Sequence, residues 1–167
     1  MHPALRFLCA LAMALAAIPA SAQTASTQAT VKIENYALVI TKQNDLDFGS
    51  ITPSASASGY VTLDPAGTYS VHGNIPAYNP AGATPARYAV SGVPSTAFSV
   101  SLPGPTISLT NGTQSLLVGD FVAEGGPTQQ LDGNGTANFR VGATVFIQAA
   151  QRPGAYTGSF NVTVAYN

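Results

Sequence analysis

The sequence predicts an all-β protein, an immunoglobulin-like Greek-key β-sandwich, on three observations. Short runs rich in Val, Ile, Thr, Tyr and Phe recur along the chain, as strands require. Turn-forming residues separate them: Pro65-Ala-Gly67, Asn79-Pro80, Pro103-Gly104, Asn111-Gly112, Gly125-Gly-Pro127, Asp132-Gly-Asn-Gly135 and Pro153-Gly154. After the N-terminal segment, no window of a dozen residues keeps helical apolar spacing without a Gly, a Pro or a strand-type interruption.

Residues 1–22 read as a secretory signal. Arg6 supplies the positive charge, Phe7 to Ile18 form a short apolar stretch, and Ala20-Ser21-Ala22 offers a small-residue cleavage site. The stretch is short for a membrane span, which takes about 20 residues, and no later segment approaches that length. The expectation is therefore a mature chain without a transmembrane segment, exported to the periplasm, the cell surface or the medium. Cys9 lies inside the signal, so the mature chain has no cysteine and no disulfide. Cleavage leaves about 145 residues, enough for one domain.

Residues 23–29 form a small, polar leader, followed by a single sandwich domain over 30–167. Ala29, Val31 and Ile33 alternate with polar residues, which suits either the first strand of the sandwich or a donor strand offered to another copy. Strands are expected over 30–40, 59–63, 68–72, 87–90, 97–102, 107–109, 116–122, 136–140, 144–148 and 158–166. Residues 73–85, free of charge and broken by Pro76, Pro80 and Pro85, read as a long exposed loop. In the last run Phe160, Val162, Val164 and Tyr166 alternate with Ser159, Asn161, Thr163 and Ala165, so one face of that strand is apolar. Such a strand needs a neighbour, supplied either by this chain in a self-complete sandwich or by another polypeptide in an incomplete one.

Chemistry is sparse. His72 is the only histidine past the signal, no Gly-x-Ser-x-Gly elbow is present, and zinc would lack His and Cys ligands. The run from Asp132 to Asn138 opens like a calcium loop, but Ala137 and Ala143 stand where the turn glycine and the bidentate Glu belong, so it reads as a hairpin turn. Asp45 and Asp47 bracket Leu46 as solvated carboxylates. Charged residues make up 8% of the chain, and the mature part has five basic residues, so there is no patch for nucleic acid. The expectation is a non-enzymatic protein without cofactor or metal.

Several segments resemble an exported bacterial family, domain of unknown function 4402: Leu46-Asp-Phe-Gly-Ser-Ile51, Gly59-Tyr-Val-Thr-Leu-Asp-Pro-Ala-Gly67, Ala86-Arg-Tyr-Ala-Val-Ser-Gly92 and Gly154 to Tyr166. Within the first motif, Phe48 suits a core anchor and Gly49 a turn with positive φ. More remotely the chain is similar to spore-coat-U-like proteins and to pilins of chaperone-usher systems, which end with a penultimate Tyr and a Gly fourteen places from the end. Tyr166 and Gly154 stand at those positions. The resemblance implies an incomplete sandwich that assembles with copies of itself, with a periplasmic chaperone holding the carboxylate of Asn167 until the next subunit's N-terminal segment replaces it. The resulting expectation is a structural or adhesive surface subunit. The other function class is a self-complete binding module, for carbohydrate, with Tyr69, Tyr78 and Tyr88 as candidate platforms.

Overall fold

The computed structural model describes residues 23–33 and 36–167, and the predicted signal, residues 1–22, lies outside them. The chain divides into two units, residues 1–34 and 35–167. In the first, the described residues 23–33 are exposed and have no regular secondary structure. The second is all β. Its strands are β1 (Val39–Asn44), β2 (Ser50–Thr52), β3 (Gly59–Leu63), β4 (Tyr69–Gly73), β5 (Ala77–Asn79), β6 (Ala86–Ser91), β7 (Ala97–Ser101), β8 (Thr106–Thr110), β9 (Ser115–Ala123), β10 (Thr128–Gln130), β11 (Thr136–Ile147) and β12 (Thr163–Tyr166). Among the described residues, no helix is long and apolar enough to cross a membrane.

All pairings are antiparallel, and β11 organises them. One edge of β11 pairs first with β6, through Thr136 to Val141, and then with β3, through Ala143 to Ile147. Its other edge carries β9, which in turn pairs β8. Beyond β6 lies β1, and beyond β3 lies β4. A separate sheet runs β10-β7-β12, and β2 pairs β5. The architecture is a β-sandwich, the class the sequence predicts.

Four expectations need correction. The first strand begins at Val39 rather than Thr30, because alternation makes a strand only where a sheet edge accepts it. The runs read as two strands over 136–140 and 144–148 are one, β11, with Gly142 inside it. A Cβ at Gly142 would collide with Leu63 O, so this glycine marks a close backbone approach and not a strand end. The 73–85 loop contains β5, which holds β2 through Ile51 opposite Tyr78. The last strand is confined to Thr163–Tyr166, and 158–162 stay outside regular structure.

Inward residues form two cores. Core 1 holds Tyr88, Val90, Phe98, Val100, Leu131, Phe139 and Val141, with Leu38, Ile40, Phe160, Val162 and Val164 packed against it. Core 2 holds Phe48, Val61, Leu63, Leu116, Val118, Ala143, Val145 and Ile147. β11 serves both with one face, its odd-numbered side chains. β9 reaches both through a bulge: Val122 faces Gly142 but Gly119 faces Thr144, leaving one extra residue between them. Asp120, at φ +50°, takes up the excess. Leu116 and Val118 therefore point inward before the bulge, and Phe121 and Ala123 after it, while Asp120 stays exposed.

The 132–135 segment is a turn but not the hairpin expected, since it joins β10 to β11 in different sheets rather than two paired strands. Asp132 Oδ1 accepts from the N–H groups of Thr136 (2.8 Å) and Asn134 (2.9 Å), and Oδ2 accepts from Thr136 Oγ1 (3.0 Å). These bonds, that from the Thr136 backbone foremost, hold the carboxyl below its usual range. Phe48 anchors core 2, and Gly49 has φ +72°, where a Cβ would meet Asn79 O at 2.5 Å.

Candidate functional site: an open seam between two strand edges

Among the described residues, β1 and β12 are edge strands of different sheets, each with one partner strand: β6 for β1 and β7 for β12. Between these edges runs a seam. At one end it is shut. Leu38 and Ile40 from the β1 side, and Val162 and Val164 from the β12 side, pack on the same core, and β1 and β12 approach one another. Tyr166 Oη sits across this end, accepting from the N–H of Val93 (2.8 Å) and donating to Tyr36 O (3.1 Å). Gly92 makes the room, since a Cβ there would fall on Tyr166 Oη.

At the other end the seam opens into a groove of about 1050 Å³. One wall is the backbone from Asp45 to Pro53, the other the backbone from Gln151 to Phe160. Leu109, Leu116, Val145 and Ile147 line it between those walls, with Phe48 and Ile51 on the first wall and Phe160 on the second. The first wall is fixed locally. Asp47 exchanges backbone hydrogen bonds with Thr84 at 2.9 Å each way, Asp47 Oδ1 accepts from Gly49 N–H at 2.7 Å, and Asp45 pairs with Lys42 Nζ. The two aspartates thus serve the wall's own geometry.

The second wall is pinned to β8 at a single bridge, where Thr110 and Thr157 exchange hydrogen bonds of 2.9 and 3.0 Å. Gly158 permits that crossing, because a Cβ would stand 2.7 Å from Ser108 O. A buried amide closes this wall's start: Gln151 Nε2 donates to Tyr156 Oη (2.8 Å), which donates to Arg152 O (2.8 Å). From Gly158 to Val162 no strand pairing is present. An apolar trough with one wall free of strand pairing after Thr157 has the chemistry to take an extended peptide, whose N–H and C=O groups would meet that wall and whose alternate side chains would fill the floor.

The predicted site residues fall as follows. Gly154, at φ +151°, and Phe160 line the groove. Val162 and Val164 are half-buried against core 1 in the shut end, and Asn167 is exposed, its N–H donating to Ala97 O at 3.4 Å. Tyr166 differs from the other three of its alternating set, for it is 37% exposed and acts through its hydroxyl. Ala29, Val31 and Ile33 lie in the first unit, with Val31 and Ile33 at 86% and 90% exposure.

Sequence reasoning missed the first wall as a functional element. Its signal was present in Leu46-Asp-Phe-Gly-Ser-Ile51, read only as a resemblance and a core anchor. The aromatic candidates also shift. Tyr88 is buried against Phe139 in core 1, and Tyr78 packs edge-on to Tyr69 with its hydroxyl buried and unpartnered. Burial pushes the Tyr78 hydroxyl up, helped by Tyr69 and Asp47. Tyr69 is 46% exposed, and a second aromatic row that reaches the surface is His72–Tyr60–Phe146, cross-strand neighbours on β4, β3 and β11, with His72 stacked on Tyr60 at 4.8 Å.

The model of the family described as Domain of unknown function (DUF4402) matches residues 38–166. The chain belongs to that family. The DUF4402 match takes in β1 to β12, both walls of the groove and Tyr166, and leaves out Ala29, Val31 and Ile33. No curated protein and no solved structure matches the chain.

Proposed function

We propose that this DUF4402 protein is a non-enzymatic, exported structural or adhesive subunit of pilin-like type, which assembles by taking a strand of a second copy into the open end of its seam. The observation that carries the reading is the groove, an apolar trough opening on core 2 between two backbone walls of which one lacks a pairing strand over 158–162. The occupant it favours is the Ala29–Ile33 segment of another copy. That segment is apolar at alternate positions, exposed and outside regular secondary structure. The wall from Asp45 to Pro53 spans nine residues, and the facing wall from Gln151 to Phe160 spans ten, enough to flank the five residues of Ala29–Ile33. A strand of five residues presents up to three side chains inward. Burying three at roughly 1.5 to 3 kcal/mol each would make a persistent contact.

Export rests on the signal-like residues 1–22, and a periplasmic chaperone is the partner expected to cover the groove before assembly. The test is gel migration of surface-sheared material without boiling, for the wild type and a variant lacking residues 23–33. A ladder that collapses on heating, and that the deletion removes, is the expected outcome. A single band for both overturns the reading.

One observation favours a second reading, a carbohydrate-binding module: the aromatic row of His72, Tyr60 and Phe146 on an outer sheet face. Glycan-array binding by a monomeric wild type, lost in Tyr60→Ala, would support it.

A further inference from the structure

We propose that β4 is a self-pairing edge, through which two copies of this chain join antiparallel about a two-fold axis at Val71. The contact is separate from the groove, for no residue of β4 lines that site.

β4 ends the larger sheet, with β3 on one side and no strand on the other among the described residues. The alternation of its backbone is set at its two ends. Asp64 N–H donates to Thr68 O (2.9 Å) and Asn74 N–H to Ser58 O (3.2 Å), so Thr68, Ser70, His72 and Asn74 are the positions bonded toward β3. Tyr69 and Val71 therefore turn their N–H and C=O to the free edge, and Gly73 turns its N–H there. Among the described residues nothing bonds these groups, and all five residues of β4 are exposed.

The other edges are guarded. β1 carries Lys42 and an irregularity of register beside it, while β8 follows Pro105 and is held to Thr157 through Thr110. β2, β5 and β10 have three residues each, and β12, with four, lies close to β1. Charge, proline, brevity and cover are the ordinary protections against strand addition. β4 has none of them: its register is regular, and no residue from 65 to 86 is charged.

The side chains select a second copy as the occupant. Tyr69, Val71 and Gly73 share the core face with their partners Leu63, Val61 and Gly59, yet Tyr69 and Val71 remain 46% and 38% exposed because no strand lies beyond them. About a two-fold at Val71, that valine faces its own copy and Tyr69 faces the second copy's Gly73. The largest side chain on the face thus lies beside the residue that has none, and the medium one meets its equal. On the other face Ser70 stands opposite the second copy's His72, and no like charges meet. A parallel pairing would instead set tyrosine beside tyrosine and glycine beside glycine. The window is also bounded alike at both ends. Gly73, at φ +75°, turns the chain away at one end, and the Asp64 carboxylate holds Thr68 N–H (2.9 Å) at the other. Pairing would join β11, β3 and β4 of both copies into one continuous sheet.

The chain's one native cysteine, Cys9, lies in the predicted signal, so an introduced cysteine is the single thiol of the mature chain. The two copies of residue 71 would stand opposite at a Cα separation of about 5.5 Å, and residues 70 and 72 of different copies at about 4.5 Å, both within disulfide reach. Residue 70 would lie diagonal to its own copy at about 7–8 Å, beyond that reach, as would residue 72. On mild oxidation, Val71→Cys is expected to link to itself at least about tenfold faster than Ser70→Cys or His72→Cys alone. A mixture of Ser70→Cys with His72→Cys should link at a rate comparable to Val71→Cys. Sedimentation from about 1 μM to 1 mM is the second measurement. Wild type and the variant lacking residues 23–33 are both expected to pass from monomer to dimer. Val71→Lys, which sets two ammonium groups opposite one another, is expected to stay monomeric.

Equal linkage at all three positions overturns the pairing, as does self-linkage of Ser70→Cys at the rate of Val71→Cys, which would mark parallel strands. A dimer abolished by deletion of 23–33 also overturns it and assigns association to the groove. A wild type monomeric throughout, without Val71→Cys linkage, overturns it outright. The cysteine set decides the matter whether or not Val71→Lys folds. Loss of the heat-sensitive ladder with the β4 dimer intact, or the reverse, separates failure of the groove reading from failure of this one.

Discussion

The shut and open ends of the seam use the same materials and reach opposite results. At the core 1 end, side chains from both edges interlock over Phe98 and Phe139, which are 0% and 2% exposed. At the core 2 end the corresponding inward residues, Phe48, Leu116, Val145 and Ile147, are supplied from β11, β9 and one wall, but no strand covers them from the seam. The difference lies in one short stretch of backbone. Past Thr163 the chain pairs with β7; before it, the chain turns toward β8 and is held there by the Thr110–Thr157 bridge. Apolar content alone therefore does not close a sandwich. A paired strand on the rim is also needed.

The sharpest break of this comparison is a charge on either side of the shut end. Val162→Asp would bury a carboxylate against core 1, and loss of folding by circular dichroism is expected, whereas Thr163→Asp on the exposed face should leave the melting transition nearly in place. Equal effects would mean that β12 does not present one buried face.

Next come the two phenylalanines. Phe98→Ala in the shut core is expected to cost about 3–5 kcal/mol in chemical denaturation. Phe48→Ala at the groove should cost about half as much in the free subunit, since its cavity opens to water, and more once the groove is filled. If Phe48→Ala matches Phe98→Ala in the free protein, the open end is as well packed as the shut one.

Gly142→Ala tests the strand the two ends share. Its Cβ would press on Leu63 O and on the Asp64 and Pro65 backbone, so β3 must move from β11, at an expected cost of about 1–3 kcal/mol felt mainly in core 2. Amide exchange should rise in β3 while β6 keeps its protection.

The smallest effect is a titration. The Asp132 carboxyl is held below its usual range, so its contribution is present above the unfolded value near pH 4 and is lost as pH falls through the lower folded value. The melting temperatures of wild type and Asp132→Asn are expected to differ near neutral pH and to converge as the carboxyl is protonated in acid. A gap that persists in acid would assign the effect to the turn's geometry rather than to its charge.

Much of the fold was legible because side-chain alternation is local. Gly59–Leu63, Ala97–Ser101 and Thr106–Thr110 announced themselves through β-branched and aromatic runs between turns. The three-residue strands β2, β5 and β10 were not legible, since each exists only through its partner. Gly142 was misleading for a similar reason: a glycine demanded by a neighbour's carbonyl looks, in sequence, like a break. Of the site, Phe160 and Gly154 could be read from the last run of residues. The facing wall from Asp45 to Pro53 could not, because a groove is a relation between segments about a hundred residues apart.

The bulge at Asp120 constrains which changes of length β9 can tolerate. Because that single extra residue switches β9 from presenting even-numbered to odd-numbered side chains inward, β9 behaves as two reading frames joined at one point. Deleting Asp120 itself would remove the bulge and leave Leu116, Val118, Phe121 and Ala123 in one continuous inward alternation, with Phe121 opposite Ala143. Deleting one residue within either half, with the bulge kept in place, would instead shift part of that half between solvent and core, and deleting two would restore its phase. Away from the bulge, insertions and deletions in β9 should therefore survive in steps of two residues. Single steps should survive only where they remove or shift the bulge.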